Sequence, residues 1–205
     1  MNRWQVVPTA QKYTVNQFDR EFPTEDACLE YVKEKRFPGG MALCVNCEVE
    51  RKHYRVSGRT SYACHACGNH IYPLAGTIFH KSTTSLRTWF LVIRLMASTR
   101  VGISAKQIQR ETGVTYKTAW RMMKQVRKLM EDRITLSGPV EIDEADFGGA
   151  DSNKPKHLRG KGKAVALGMV ERGGKVVTQV VPNITALTLC SSVAEIVEPD
   201  SPVFT

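Results

Sequence analysis

Four cysteines carry the most specific chemistry in this sequence. Cys44-x-x-Cys47 is followed, after sixteen residues, by Cys64-x-x-Cys67. Two such pairs match a four-thiolate zinc site, in which each tight turn points two sulfurs to one side. Gly68 follows the second pair, where that turn needs backbone freedom. Four thiolates leave no open coordination position, so the zinc is expected to be structural. His53, His65, His70 and His80 lie close enough in sequence to replace a cysteine. Cys28 and Cys190 stand apart on apolar helical patterns and are expected as small core residues.

A second set of reactive side chains is cationic. Lys117, Arg121, Lys124 and Lys128 recur at helical spacing, while Ala119, Met122 or Met123, Val126 and Met130 recur on another side of the same segment. The net charge of +9 is concentrated here: residues 86–138 carry 11 basic and 3 acidic groups, whereas residues 1–43 are neutral and residues 139–205 carry 7 and 9. A concentrated positive charge points to a polyanionic partner. A third set is acidic: Val140-Glu141-Ile142-Asp143-Glu144 alternates like a strand and bears three carboxylates. Glu141 and Asp143 fall on one face and Glu144 on the other.

The elements that must position these groups follow from local pattern. Between the cysteine pairs, residues 53–56 and 60–63 flank Ser57-Gly58-Arg59, which predicts a hairpin and hence a zinc ribbon. Metal binding, on the order of 10 kcal/mol in small zinc peptides, offsets the small core of such a segment. Leu86 to Ser98 is expected to form an apolar helix with Trp89, Phe90, Ile93 and Met96 or Ala97 on one side. Ser104 caps a short helix to Thr112 with Ile108 inward; Gly113 breaks it, Val114 packs the turn, and Thr115 caps a third helix to about Asp132. Helix, glycine turn and basic helix make a helix-turn-helix, whose last helix would lie in the major groove of double-stranded DNA. Trp120 is expected in the core, and Tyr116 either there or against DNA.

Beyond Pro139 the pattern becomes mixed. The acidic strand leads through Gly148-Gly149 into a loop with Lys154, Lys156, Arg159, Lys161 and Lys163. Strands over 164–171 and 175–181 are joined by Arg172-Gly173-Gly174, a helix over about 185–197 turns Leu189, Val193 and Ile196 to one side, and Pro202 opens another strand. That order is how a ribonuclease-H-like domain starts. The fold class expected is therefore α+β and multidomain: a helical lead-in at 1–43, a zinc ribbon at 44–84, a helix-turn-helix bundle at 85–135, and an incomplete ribonuclease-H-like α/β domain at 139–205. The N-terminus lacks an apolar signal segment, and the apolar run at 89–97 is interrupted by Arg94 and too short for a bilayer. A cytoplasmic protein with reduced thiols and no membrane partner is expected.

Four stretches together resemble one family: FPTEDACLEYVKEKRFPGG, GTIFHKSTTSLRTWFLVI, ISAKQIQRETGVTYKTAWRMMKQVR and VEIDEADFGG. From about Phe18 to Thr205 the chain is similar to bacterial insertion-sequence transposases with an N-terminal zinc ribbon and an ISXO-like DDE domain, relatives of the Merlin transposons. The resemblance implies metal-dependent strand cleavage and transfer at the element's ends, with Mg2+ or Mn2+ held by converging carboxylates and activating the attacking oxygen. It places Asp143 at the first catalytic aspartate, with Glu141 as a neighbour that could assist. It also implies DNA partners (terminal repeats and target), a homo-oligomer when active, and a place at the nucleoid. Val45 stands where the family usually has proline, Glu48 where it has glycine, and Asp146 where it is more often aromatic. The second catalytic aspartate is expected just after the strand that opens at Pro202, so residues 1–205 are expected to bind DNA without cutting it. The alternative is a non-catalytic zinc-ribbon and helix-turn-helix DNA-binding protein derived from a transposase.

Overall fold

Thr14 and Thr24 cap two short helices in a computed structural model that describes residues 13–99, 101–130, 134–148 and 164–205. The chain divides into two units, Met1–Glu131 and Asp132–Thr205. The lysine- and arginine-rich loop around residues 154–163 and the far end of the third basic helix at Asp132 lie outside the described residues.

In the first unit, α1 (Val15–Glu21) starts in a capping box: Gln17 N–H donates to Thr14 Oγ1, and Thr14 N–H donates to Gln17 Oε1. Helix α2 (Glu25–Arg36) has Glu25 and Asp26 in its first turn and Lys33, Lys35 and Arg36 in its last, both favourable to the helix dipole. A 3₁₀ turn at Pro38–Gly40 leads into four antiparallel strands in chain order, β1 (Met41–Cys44), β2 (Val49–Arg55), β3 (Tyr62–Cys64) and β4 (His70–Ile71). The expected hairpin is β2 paired to β3, with Gly58 at positive φ in its turn. The flanking strands β1 and β4 are additional. Phe18, Phe22, Cys28 and Leu29 from the helices close over Tyr62 of β3 and Leu86, giving this sheet the apolar cover it cannot supply itself.

Three helices complete the unit: α3 (Leu86–Ser98), α4 (Ala105–Thr112) and α5 (Tyr116–Lys128). Each has a hydroxyl cap, the expected Ser104 and Thr115 accepting from the backbone N–H of Gln107 and Thr118, and Ser85, not anticipated, accepting from that of Thr88. Gly113 ends α4 as expected, and does so in the left-handed conformation. Trp89, Val92, Ile108, Ala119, Met122, Met123 and Val126 form the core, and Val114 packs against it. Helix α3 and Phe79 serve both clusters: Leu86, Phe90 and Leu91 face the ribbon side, while Trp89, Val92, Ile93 and Met96 face α4 and α5.

Helix α5 ends at Lys128, and Met130 is 63% exposed where the core was expected. Leu129 and Met130 donate to carbonyls three residues back, on Val126 and Arg127. That tighter last turn swings Met130 off the buried side.

In the second unit, β5 (Val140–Phe147), β6 (Ala164–Glu171) and β7 (Val176–Val181) form an antiparallel meander. The chain then crosses through α6 (Ala186–Ile196) to β8 (Val203–Phe204), which pairs parallel to β5; the sheet order is β7-β6-β5-β8. Val140, Leu167, Met169 and Val181 on one sheet face meet Leu189, Val193 and Ile196 of α6. Cys190 is exposed, contrary to expectation, because it sits about 100° around the helix from Leu189 and misses the contact face. No described helix is long and apolar enough to cross a membrane.

Candidate nucleic-acid interface and metal centre

Two matching backbone turns assemble the cysteine cluster. The Glu48 N–H donates to the Cys44 carbonyl at 2.8 Å, and the Gly68 N–H donates to the Cys64 carbonyl at 3.0 Å. Both turns place the following residue at positive φ, 58° for Glu48 and 72° for Gly68. The pairing of β1 with β2 and of β2 with β3 brings the knuckles together, so that all four sulfurs lie within 4.8 Å of one another. A tetrahedral zinc with bonds of about 2.3 Å needs sulfur separations of about 3.8 Å, so the donor set fits that ion. Among the described residues this is the one group of three or more donors close enough to hold a metal, and none of the four nearby histidines belongs to it. The buried His53 instead donates from Nδ1 to the Arg51 carbonyl at 2.9 Å.

The thiols divide unequally for a physical reason. The Asn69 backbone N–H and the Cys47 thiol both stabilise the Cys67 thiolate and bring its pKa below the ordinary cysteine value. Cys47, donating to Cys67 and surrounded by other sulfurs, is pushed up to about 12. A divalent cation removes this conflict by stabilising all four thiolates.

Helix α5 presents four of its five cations on the side away from its core, while Arg127 falls on the flank of Tyr116 and Trp120. At 100° per residue, Lys117, Arg121, Lys124 and Lys128 fall within roughly a 60° arc opposite the buried Ala119, Met122, Met123 and Val126. All four are exposed. Arg121, at one edge of the arc, is also tied back: its guanidinium lies 5.7 Å from the Trp89 ring centre and donates to Ser82 Oγ at 3.5 Å. Ser82 Oγ in turn accepts from the Trp89 indole N–H at 2.9 Å. Arg121 therefore helps fix how α5 sits on α3.

Trp120 corrects an expectation. It is 51% exposed, not buried, because Met122, Met123 and the fully enclosed Trp89 already fill the seam between α3 and α5. Tyr116, one turn earlier on the same flank, is 45% exposed. A lysine lies over each ring: Lys106 of α4 is 5.3 Å from the Tyr116 ring centre, and Lys124 is 5.5 Å from that of Trp120. The sequence signal was available in the wheel of α5, whose aromatic pair sits beside the buried arc and outside it.

In the second unit, Asp143 is exposed on the sheet face turned away from α6, opposite Gly168 and flanked by Ala145 and Ala166. Glu141 shares that face but is engaged by Arg172, whose Nε donates to its Oε1 at 2.7 Å. The same guanidinium lies 4.6 Å from the Phe204 ring centre, so Glu141 is part of the contact that joins β8 to β5. Glu144 falls on the α6 side, paired with Leu167. A carboxylate such as Asp143 suits hard divalent cations, which take oxygen ligands.

Two family models match the chain. Residues 23–70 match a transposase zinc-ribbon domain, a span that takes in α2 as well as the four strands. Residues 135–205 match an ISXO2-like transposase domain. The chain is also 32% identical over 150 residues to an uncharacterised protein in transposable element ISH50 of Halobacterium salinarum. That alignment covers 69% of this chain and 49% of the relative, so the chain spans about half the length of the curated relative it matches. No solved structure matches.

Proposed function

Because the chain belongs to the IS1595 family of transposases, carrying both its zinc ribbon and its ISXO2-like domain, we propose that it recognises the ends of a mobile element and contributes to metal-dependent DNA strand cleavage and transfer. The first unit is the duplex-binding part. Its zinc is structural and holds the ribbon together, while α4 and α5 act as a helix-turn-helix with α5 in the major groove. The observation that carries this reading is the arc of Lys117, Arg121, Lys124 and Lys128 opposite the α5 core. Such an arc meets phosphates along both groove walls, and the binding it supports weakens steeply with salt.

The second unit is the beginning of a ribonuclease-H-like catalytic domain, supported by its order of antiparallel meander, crossover helix and parallel strand. Asp143 is its metal-holding carboxylate, exposed at the middle of β5. Mg2+ or Mn2+ bound there supplies activation of the attacking oxygen and stabilisation of the leaving one. Glu141 supports the sheet through Arg172, and a shift of that ion pair would be needed before it assisted Asp143. The protein acts as a homo-oligomer on terminal repeats and target DNA, in the cytoplasm beside the chromosome.

A gel shift with the element's terminal repeat against random duplex of equal length tests this reading. Preference for the repeat, lost on combined Lys117→Ala and Lys124→Ala substitution, supports it. Equal affinity for both duplexes sinks the recognition-helix assignment.

A further inference from the structure

The exposed aromatic pair on α5 is unaccounted for by phosphate binding. Trp120 and Tyr116 are about half exposed, one turn apart on one flank, and bordered by Lys106, Lys124 and the rest of the basic arc. A large apolar surface set among cations costs free energy in water unless something covers it. The cations select a polyanion as the covering partner, and within duplex DNA the base faces are already stacked. What the major groove offers to an apolar side chain is the C5-methyl group of thymine. Lysines on either side can reach the groove walls while the rings meet the floor.

We propose that Trp120, assisted by Tyr116, is a specificity-determining residue that reads thymine methyl groups in the major groove. This rests on the duplex-binding reading of α5 and adds the base chemistry that the helix selects. The lysines over the two rings keep this flank partly covered in the free protein and move to phosphate when DNA enters.

The test uses the full 205-residue chain with zinc and the duplex that it enriches from a random library. That duplex is compared with a copy in which uracil replaces every thymine, removing only the methyl groups. The unsubstituted protein is expected to bind the uracil duplex about three- to ten-fold more weakly, the size of burying one or two methyl groups. Trp120→Ala is expected to abolish that difference, with Tyr116→Ala reducing it, while Lys124→Ala lowers affinity for both duplexes by the same factor. Circular dichroism and zinc content should be unchanged in Trp120→Ala, because the ring lies outside the core. Equal affinity of the unsubstituted protein for the two duplexes overturns the inference, as does a Trp120→Ala loss that is the same on both. Tighter binding to single-stranded than to duplex DNA, lost with Trp120→Ala, overturns it in favour of base stacking. If the library yields no preferred duplex, or Lys117→Ala and Lys124→Ala weaken no complex, the duplex-binding reading itself fails.

Discussion

Glu48 and Gly68 are structural equivalents in the two cysteine knuckles. Each donates its backbone N–H to the carbonyl of the first cysteine of its pair, and each holds a positive φ. Only one of them is the residue type that adopts this conformation without steric cost.

Replacing Glu48 by glycine should therefore stabilise the zinc-loaded ribbon by about 1 kcal/mol, after the extra unfolded-state freedom of glycine is allowed for. Thermal melting and competition with a zinc-binding dye check this, with a higher midpoint and slower metal loss expected. Gly68→Ala should act in the opposite direction by a similar amount. A Glu48→Gly protein that melts lower would show that the side chain contributes something the backbone geometry does not.

Elemental analysis should find one zinc per chain. Cys64 is buried on the same short strand as Tyr62, and Tyr62 is part of the core formed with Phe18, Cys28 and Leu29. Removal of the metal by a chelator, or Cys64→Ser, should therefore disturb α1 and α2 as well as the knuckles. Loss of far-ultraviolet helical signal on chelation is the expected readout; a zinc-free protein with its helices and melting point intact would refute the structural role.

The four cations of the α5 arc should not behave alike in solution. Lys117→Ala, Lys124→Ala and Lys128→Ala should each lower the salt dependence of duplex binding by about 0.9 in log–log slope, with little change in melting temperature. Arg121→Ala should also destabilise the fold, by about 0.5–1 kcal/mol, because the guanidinium lies over Trp89 and donates to Ser82. Equal melting points for the Arg121 and Lys124 variants would count against this division.

Glu30 provides a pH signature. Burial raises its pKa, but hydrogen bonds from Lys33 at 2.6 Å and Tyr62 at 2.7 Å outweigh that and hold it below the ordinary carboxylate value. A depressed acid contributes stability that is present above its unfolded pKa, near 4.3, and is lost as pH falls through the folded value. Tyr62, raised to about 12 first by burial and then by this same bond, keeps its contribution until the solution is strongly alkaline. Urea midpoints of the unsubstituted protein and Glu30→Gln should differ at pH 7 and converge toward pH 3. A gap that widened on acidification would reverse the assignment.

Helices α4 and α5 were legible because caps and apolar spacing coincide, with Ser104 and Thr115 each preceding a run whose buried side repeats at helical period, and α3 was legible from its apolar spacing alone. The four cysteines were legible from spacing alone. Trp120 was not, since α5 carries apolar residues over a wider arc than its neighbours can cover, and only tertiary contact decides which part remains outside. Cys190 failed for the same reason on α6. Strands β1 and β4 left little pattern because they are four and two residues long, and strand alternation needs several residues to be seen. The Arg172 contact with Glu141 and Phe204 depends on residues far apart in sequence, so no local pattern announces it.

Helix α3 and Phe79 form a wall common to two clusters, one resting on the zinc ribbon and one supporting α5. On the proposed reading, zinc on one side of that wall and DNA on the other would be thermodynamically linked ligands. Whatever factor metal loading adds to DNA affinity must reappear, unchanged, as the factor by which bound DNA tightens the equilibrium binding of metal. If the proposed reading holds, an element end bound by this unit would guard the metal of its own reader.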